Sequence, residues 1–372
     1  VNIVCKKNQR KLYDCIYLED TADKGSAYVF VGVDDEPISS KKFKPTIKML
    51  EKNEYKSVCS VTYDMQIPDC FDFENDKRSN NLVTVSCELI LTLTALSDFL
   101  ELTYKIDNNA KDHRLRLVVN TDVISDSFIA DIPFDIIEHR DDDVHPYVVD
   151  NVHPNTSFAA IESETNAVAV FTEGAQECAK KGKNKLAFTL VRSTGFINQG
   201  CGNQWISPEN QCLREIEGRM AIYPYVSYDV NVLPIISAKF RNPILSMAVP
   251  ADTHKFTGGR PAVQDAAISE LFYREDKNKD INVSSVSLLS CSSNAVLVTA
   301  FKKAEDNDGY IVRLFNSSAS GLNTRLSIKG EIYASNMNEQ IFEFLGRDEI
   351  NIGIYGKEIK TLYVKQIDDR DL

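Results

Sequence analysis

Apolar residues in this chain recur at every second position far more often than at every third or fourth. The run LVTVSCELILTLTALSDFLELTYKID, Leu82 to Asp107, alternates Val, Ile, Leu and Thr with polar residues. It breaks only at a turn-like step near Leu96-Ser97-Asp98. A period of two is that of half-buried strands, so this stretch predicts two strands and a turn. HRLRLVVNTDV sets Arg114 and Arg116 against Leu115 and Leu117, which predicts a strand with one wet and one dry face. KLAFTLVRSTG and AVLVTAFKKAEDNDGYIVRLFNSS have the same spacing, the latter with EDNDG, Glu305 to Gly309, as a hairpin turn. FENDKRSNN, Phe73 to Asn81, reads as a polar loop between strands. Only AVQDAAISELFY, Ala262 to Tyr273, has spacing compatible with a short helix, and a strand fits it as well.

The expected fold is therefore all-β. At 372 residues the chain exceeds the usual single-domain size, which predicts more than one unit. The strand pattern divides it into a large β domain over 1–248, a Pro- and Gly-punctuated linker over 249–283, and a smaller β-sandwich over 284–372.

Charge and composition narrow the partners. The net charge is −12 and the longest basic cluster is KKGKNK, Lys180 to Lys185, too little to neutralise phosphates, so no nucleic acid is expected. A 43% hydrophobic and 26% charged composition is that of a soluble globular protein. No apolar run reaches the roughly 20 residues that span a bilayer. No basic-then-apolar leader opens the chain at Val1. A cytoplasmic protein without a membrane partner is expected; Val rather than Met at the start suggests processing or a piece of a longer chain. The nine cysteines, at 5, 15, 59, 70, 87, 178, 201, 212 and 291, form no C-x-x-C pair, so free and mostly buried thiols are expected. The sequons at Asn155, Asn282 and Asn316 carry little weight.

Candidate chemistry is sparse. EDTADKGSAYVF, Glu19 to Phe30, groups acids and a lysine before an aromatic-rich stretch read as a strand. Its acids read as a solvated turn rather than as a catalytic pair, with Gly25 allowing the backbone to bend. EHRDDDVHPYVVDNVHP brings His139, His145 and His153 near Asp141, Asp142 and Asp143. The metal spacing is incomplete there, so a long exposed loop is the expectation. Its HRD step lacks the glycine-rich loop and D-F-G of a kinase, and no nucleophile elbow or phosphate loop occurs anywhere. Trp205, the sole tryptophan, lies in GCGNQWISPENQC; it could stack on a sugar or pack over a strand.

Several words, in order over about 300 residues, resemble the C-terminal half of family 38 glycoside hydrolases, the retaining α-mannosidases and their mannosylglycerate-hydrolase relatives. They are EDTADKGSAYVF, DHRLRLVVNTDV, IPFDIIEHR, HPNTSFAAIESETNAVAVFTEGAQEC, and KLAFTLVRSTGFI followed by SPENQCLREIEGRMAIYPY; a last one is VLVTAFKKAEDNDGYIVRLFN. The resemblance implies a galactose-mutarotase-like super-sandwich followed by an Ig-like β-sandwich. It also implies that the zinc ligands and the aspartate nucleophile belong to a separate N-terminal α/β catalytic domain, and none of those motifs occurs here. No catalytic and no metal-ligating residue is therefore expected in this chain, which by itself is expected to be inactive. Zinc and the α-mannoside substrate are expected as partners of the catalytic domain, and self-association into a homo-oligomer is left open.

One residue carries over. The tyrosine of the family's Gly-x-x-Tyr segment reaches toward the bound mannose, and the matching position is Tyr28. An ordinary strand tyrosine is the competing reading. The loop after the Thr-Leu-x-Arg strand holds no arginine between Arg192 and Arg214, so the family's distal substrate contacts do not carry over. The rival functional reading is a free-standing carbohydrate-binding or purely structural β domain.

Overall fold

A computed structural model describes residues 1–6, 10–142, 152–198, 205–225, 232–245 and 287–366. Two antiparallel sheets packed face to face make the large unit. One has nine strands, running from Asp135–Arg140 at one edge to Thr46–Lys52 at the other. The second has six, with His113–Asn120 between Lys185–Ser193 and Ile16–Ala22.

The period of two is what builds the core. In Leu82–Thr94 the side chains of Val85, Cys87 and Leu89 are buried, and in Leu100–Asp107 those of Leu102, Tyr104 and Ile106. They meet Leu18, Leu115, Leu117, Leu186 and Phe188 from the six-stranded sheet in one apolar cluster. Burying each such side chain contributes roughly 1.5–3 kcal/mol, so the inner faces of the two sheets hold the sandwich together. The expected break falls between Thr94 and Leu100.

A helix, Leu233–Arg241, lies on the other face of the nine-stranded sheet. Its Leu233 and Phe240 pack with Phe158, Ala160, Ala169, Phe171 and Ala221. The strand pattern hides this helix because two consecutive isoleucines follow Pro234, and branched side chains favour strands. The helix spacing at Ala262 to Tyr273 and the linker at 249–283 lie outside the described residues, which stop at 245 and resume at 287.

Strands from Ser290–Cys291 to Ile359–Lys365 form a separate six-stranded antiparallel sheet with its own core around Val312, Leu314, Leu326, Ile332, Leu362 and Val364. Val296–Lys303 and Tyr310–Asn316 are joined through the expected turn. This unit touches the large one where the Phe134 and Phe315 rings lie 5.9 Å apart and Lys357 pairs with Asp135 at 3.0 Å. No helix among the described residues is long and apolar enough to cross a membrane.

Two sequons have structural jobs instead of exposed ones. Asn155 is buried and donates from Nδ2 to Thr172 Oγ1 and the Ala175 carbonyl. Asn316 is buried and donates to the carbonyls of Ser320, Ile354 and Tyr355. Asn282 lies outside the described residues.

The eight described cysteines are free, but only Cys15, Cys87 and Cys178 are fully buried; the other five are half-buried, so the expectation of mostly buried thiols is corrected. Burial pushes the Cys15 and Cys87 thiols up to about 12, and Cys178 higher still. A thiol reacts as its thiolate, so these three are expected to resist an aromatic disulfide reagent in the native protein. Mass-mapped labelling checks this: half-buried Cys5, Cys59, Cys70, Cys212 and Cys291 label first, and all nine label after denaturation. Early labelling at Cys87 would contradict the packing described.

Candidate functional site

The acids of Glu19 to Asp23 are not a solvated turn. Glu19, Asp20 and Asp23 are all buried, and the first two sit inside the strand Ile16–Ala22. Nor is AYVF part of a strand. After Asp23 the chain reverses in a narrow loop: Lys24 N–H donates to the Val31 carbonyl at 2.9 Å and Ser26 N–H to the Val29 carbonyl at 2.9 Å. Ala27 and Tyr28 form the tip. Tyr28 is 76% exposed and stands outside any strand. Gly25 is required by close approach: a Cβ there would lie 2.0 Å from the Val29 carbonyl oxygen and 2.8 Å from the Val31 nitrogen.

Buried charges hold this reversal from two sides. On the inner face, Asp20 Oδ2 meets His113 Nδ1 at 2.6 Å, and Asp20 Oδ1 accepts from Arg78. His113 Nε2 lies 2.9 Å from Asn108 Oδ1. Asn108 Nδ2 is spent on Ser193 Oγ and the carbonyls of Gln211 and Cys212, so its Oδ1 is an acceptor and His113 Nε2 is the donor. Beside them Gln211 grips Asp112, with Nε2 to Oδ1 at 2.6 Å and Oε1 accepting from the Asp112 N–H at 2.9 Å.

Asp20, His113 and Asn108 have the outline of a proton relay, but both ring nitrogens are engaged and His113 is completely buried. No substrate atom can reach it. The group is a structural tie that closes one end of the sandwich.

On the outer face, Arg116 pairs with Glu19 at 2.9 Å, and Lys181 joins the same carboxylate. The Arg114 guanidinium stacks 3.5 Å over the Phe30 ring, a cation–π contact that folds the loop back onto the sheet. Arg114 and Arg116 are buried, so the expected wet face of that strand is covered. On the same face, burial and then the Glu19 and Asp14 carboxylates push the Tyr17 phenol up to about 12, while Lys41 sits 4.0 Å over its ring.

Arg192 completes the arrangement. Its Nε donates to Asp23 Oδ2 at 2.7 Å, Nη2 to the Ser26 carbonyl at 2.5 Å and Nη1 to the Ala27 carbonyl at 3.3 Å. Asp23 Oδ1 in turn accepts from the N–H groups of Gly25 at 2.9 Å and Val31 at 3.1 Å.

The Trp205 loop reaches the same end. Ala27 N–H donates to the Phe196 carbonyl at 2.9 Å, and Phe196–Asn198 pairs with Trp205–Ile206. Trp205 is 63% exposed. Phe73 stands edge-on to Phe196 at 5.5 Å. Phe73 to Asn81 is also more than a polar loop: Lys77–Arg78 pairs with Phe71–Asp72, and this small hairpin delivers Arg78 to Asp20.

The histidine-rich stretch is not a loop at its two ends. His139 lies in Asp135–Arg140 and His153 in Val152–Pro154, with their rings 3.8 Å apart and that of Phe128 beside both. Asp141 is held by Lys180 and Lys183, and Asp142 by Arg140. His145 and Asp143 lie outside the described residues. Among the described residues no three His, Cys, Asp or Glu side chains converge as a metal needs, so nothing here fits the zinc that the family resemblance implies.

Residues 1–196 match the family model described as "Glycosyl hydrolases family 38 C-terminal domain". Residues 295–362 match "Glycosyl hydrolases family 38 C-terminal beta sandwich domain". The chain belongs to glycoside hydrolase family 38, as part of its C-terminal region.

A "Putative mannosylglycerate hydrolase" of Halalkalibacterium halodurans is 23% identical over 368 residues, an alignment covering 92% of this chain and 37% of that protein. An alpha-mannosidase structure from Enterococcus faecalis V583 superposes with a TM-score of 0.80 at 18% identity, over 98% of this chain and 40% of the other. A second family 38 structure from Enterococcus faecalis gives 0.78 at 18% identity, over 98% and 42%. The chain thus spans about two fifths of the proteins it matches. At these identities the superpositions establish the fold.

Proposed function

We propose that this chain is the non-catalytic β region of a retaining α-mannosidase-like hydrolase, scaffolding a zinc-dependent catalytic domain and lining part of its sugar pocket with Tyr28. Family membership supports the hydrolase class, and the limited share of its relatives supports a separate catalytic part. The observation that carries the pocket role is a tyrosine left 76% exposed on a turn whose backbone is fixed by buried charges. An exposed side chain on a fixed backbone is prepared for a partner surface, because the backbone entropy of the turn is already lost before contact. Its phenol can hydrogen-bond a sugar hydroxyl while the ring covers an apolar sugar face.

In the parent reaction a carboxylate of the catalytic domain attacks the anomeric carbon and water resolves the glycosyl-enzyme. This chain's part is to bind and orient the sugar and to exclude water from one side. The reading divides the chain at 1–248, 249–283 and 284–372 and places it in the cytoplasm.

The exposed Trp205 beside the Tyr28 turn favours one alternative, a free-standing carbohydrate-binding module. Two measurements on the chain alone separate them. It is expected to leave an aryl α-mannoside intact with zinc added, and to give no calorimetric binding of mannosides at millimolar affinity or tighter. The full-length protein is expected to hydrolyse the same substrate. Binding by the isolated chain would favour the module, and turnover by it would overturn the placement of the catalytic residues.

A further inference from the structure

We propose that Arg192 is a positioning residue for Tyr28, acting with Asp23 as a latch that fixes the reversal on which the tyrosine stands. The role in catalysis rests on the pocket reading above, whereas the latch itself does not.

All three bonding nitrogens of Arg192 point into one five-residue segment, Asp23 to Ala27. Nε takes the Asp23 carboxylate at the start of the loop, and Nη2 and Nη1 take the carbonyls of Ser26 and Ala27, the two residues just before Tyr28. The second carboxylate oxygen of Asp23 spans the loop, receiving the N–H groups of Gly25 and Val31. Asp23 is fully buried and Arg192 mostly so, which strengthens each charge-assisted bond relative to one in water. The guanidinium is anchored by its own backbone, because Arg192 lies opposite Arg114 on a central strand of the six-stranded sheet, one residue from the strand's end. A rigid sheet is thereby linked to the exposed tip through one side chain.

Geometry also explains why an arginine is used. Three acceptors, one carboxylate and two carbonyls, each meet a different nitrogen of the guanidinium fork, a match that a lysine ammonium on its flexible stem does not reproduce. Burial of apolar side chains does little to hold the tip: Ala27, Tyr28 and Val29 are all exposed. Tyr28 therefore owes its placement to these polar bonds.

Limited chymotrypsin digestion of the full chain, read by mass at the Tyr28–Val29 bond, tests the latch. Assayed well below the melting midpoint of each variant, Arg192→Gln is expected to raise cleavage there at least tenfold, and Arg192→Lys by an intermediate factor. Cleavage unchanged in both variants would overturn the latch whatever the protein's function. Should Arg192→Gln fold poorly, the lysine variant alone decides.

The positioning role is read in the full-length protein by a double-mutant cycle on aryl α-mannoside kcat/KM. Arg192→Gln is expected to lower it about fivefold, and adding Arg192→Gln to Tyr28→Ala is expected to lower it no further. Multiplying effects, or an inert Arg192→Gln beside a damaging Tyr28→Ala, would overturn the positioning role while leaving the pocket reading intact. An inert Tyr28→Ala would sink the pocket reading itself, and with it the catalytic consequence, while the digestion result still judges the latch.

Discussion

Replacing Asp20 by alanine is expected to lower the melting midpoint of the large sandwich by on the order of 10 °C. Asp20 is fully buried and is the shared acceptor for His113 and Arg78. Removing one member of a buried ion pair costs about 3–5 kcal/mol, because the remaining charge stays buried without compensation. For a unit of this size each kcal/mol moves the midpoint by roughly 2–4 °C. Asp20→Asn is expected to cost less, since an amide oxygen can still accept from His113 Nδ1. Thermal denaturation followed by circular dichroism checks both. A midpoint unchanged by Asp20→Ala would mean that the network does not close the sandwich end.

The loss should spread toward Tyr28. Asp20 lies three residues before Asp23, whose N–H donates to the Asp112 carbonyl next to His113. The inner tie and the outer latch thus meet at one corner, and loosening the first frees the strand end from which the loop departs.

Much of the fold was legible because strand alternation is local. The two strands within Leu82 to Asp107, the Glu305 to Gly309 turn and the strand ending in Thr-Leu-x-Arg needed only neighbouring residues. The charged positions were misread for the same reason. Asp20 and His113 are 93 residues apart, and Asp23 and Arg192 are 169 apart. No local window contains both partners, so the acids look solvated and Arg114 and Arg116 look like a wet face. What covers those arginines is the loop carrying Phe30, whose return onto the sheet no periodicity encodes.

The words that carried the family resemblance could have given the network. Asp112, His113, Arg114 and Arg116 come from one of them, Gln211 from another, Arg192 from a third, and Asp20 and Asp23 from the first. In the fold these words touch one another through those side chains. Long-separated charged words that resemble a family together were the available signal for buried pairing. Tyr28 needed the resemblance, because nothing about a lone tyrosine in sequence distinguishes a pocket wall from a surface residue.

Tyr28→Ala in the full-length protein is expected to lower kcat/KM for an aryl α-mannoside by roughly 10- to 100-fold, the loss of about 1.4–2.8 kcal/mol from one hydrogen bond and one ring contact. Tyr28→Phe removes only the hydroxyl and is expected to cost about three- to tenfold. Because Tyr28 is 76% exposed and its loop is held by Asp23 and Arg192 rather than by its own ring, neither change should unsettle the fold. A kinetic effect can then be assigned to contact with the sugar. The most direct measurement is therefore steady-state hydrolysis by these two variants beside the unaltered full-length protein, with melting midpoints taken on the same samples. A graded loss, alanine below phenylalanine below wild type at equal midpoints, is the result predicted. Wild-type kcat/KM in both variants would contradict it and leave this region as a scaffold alone.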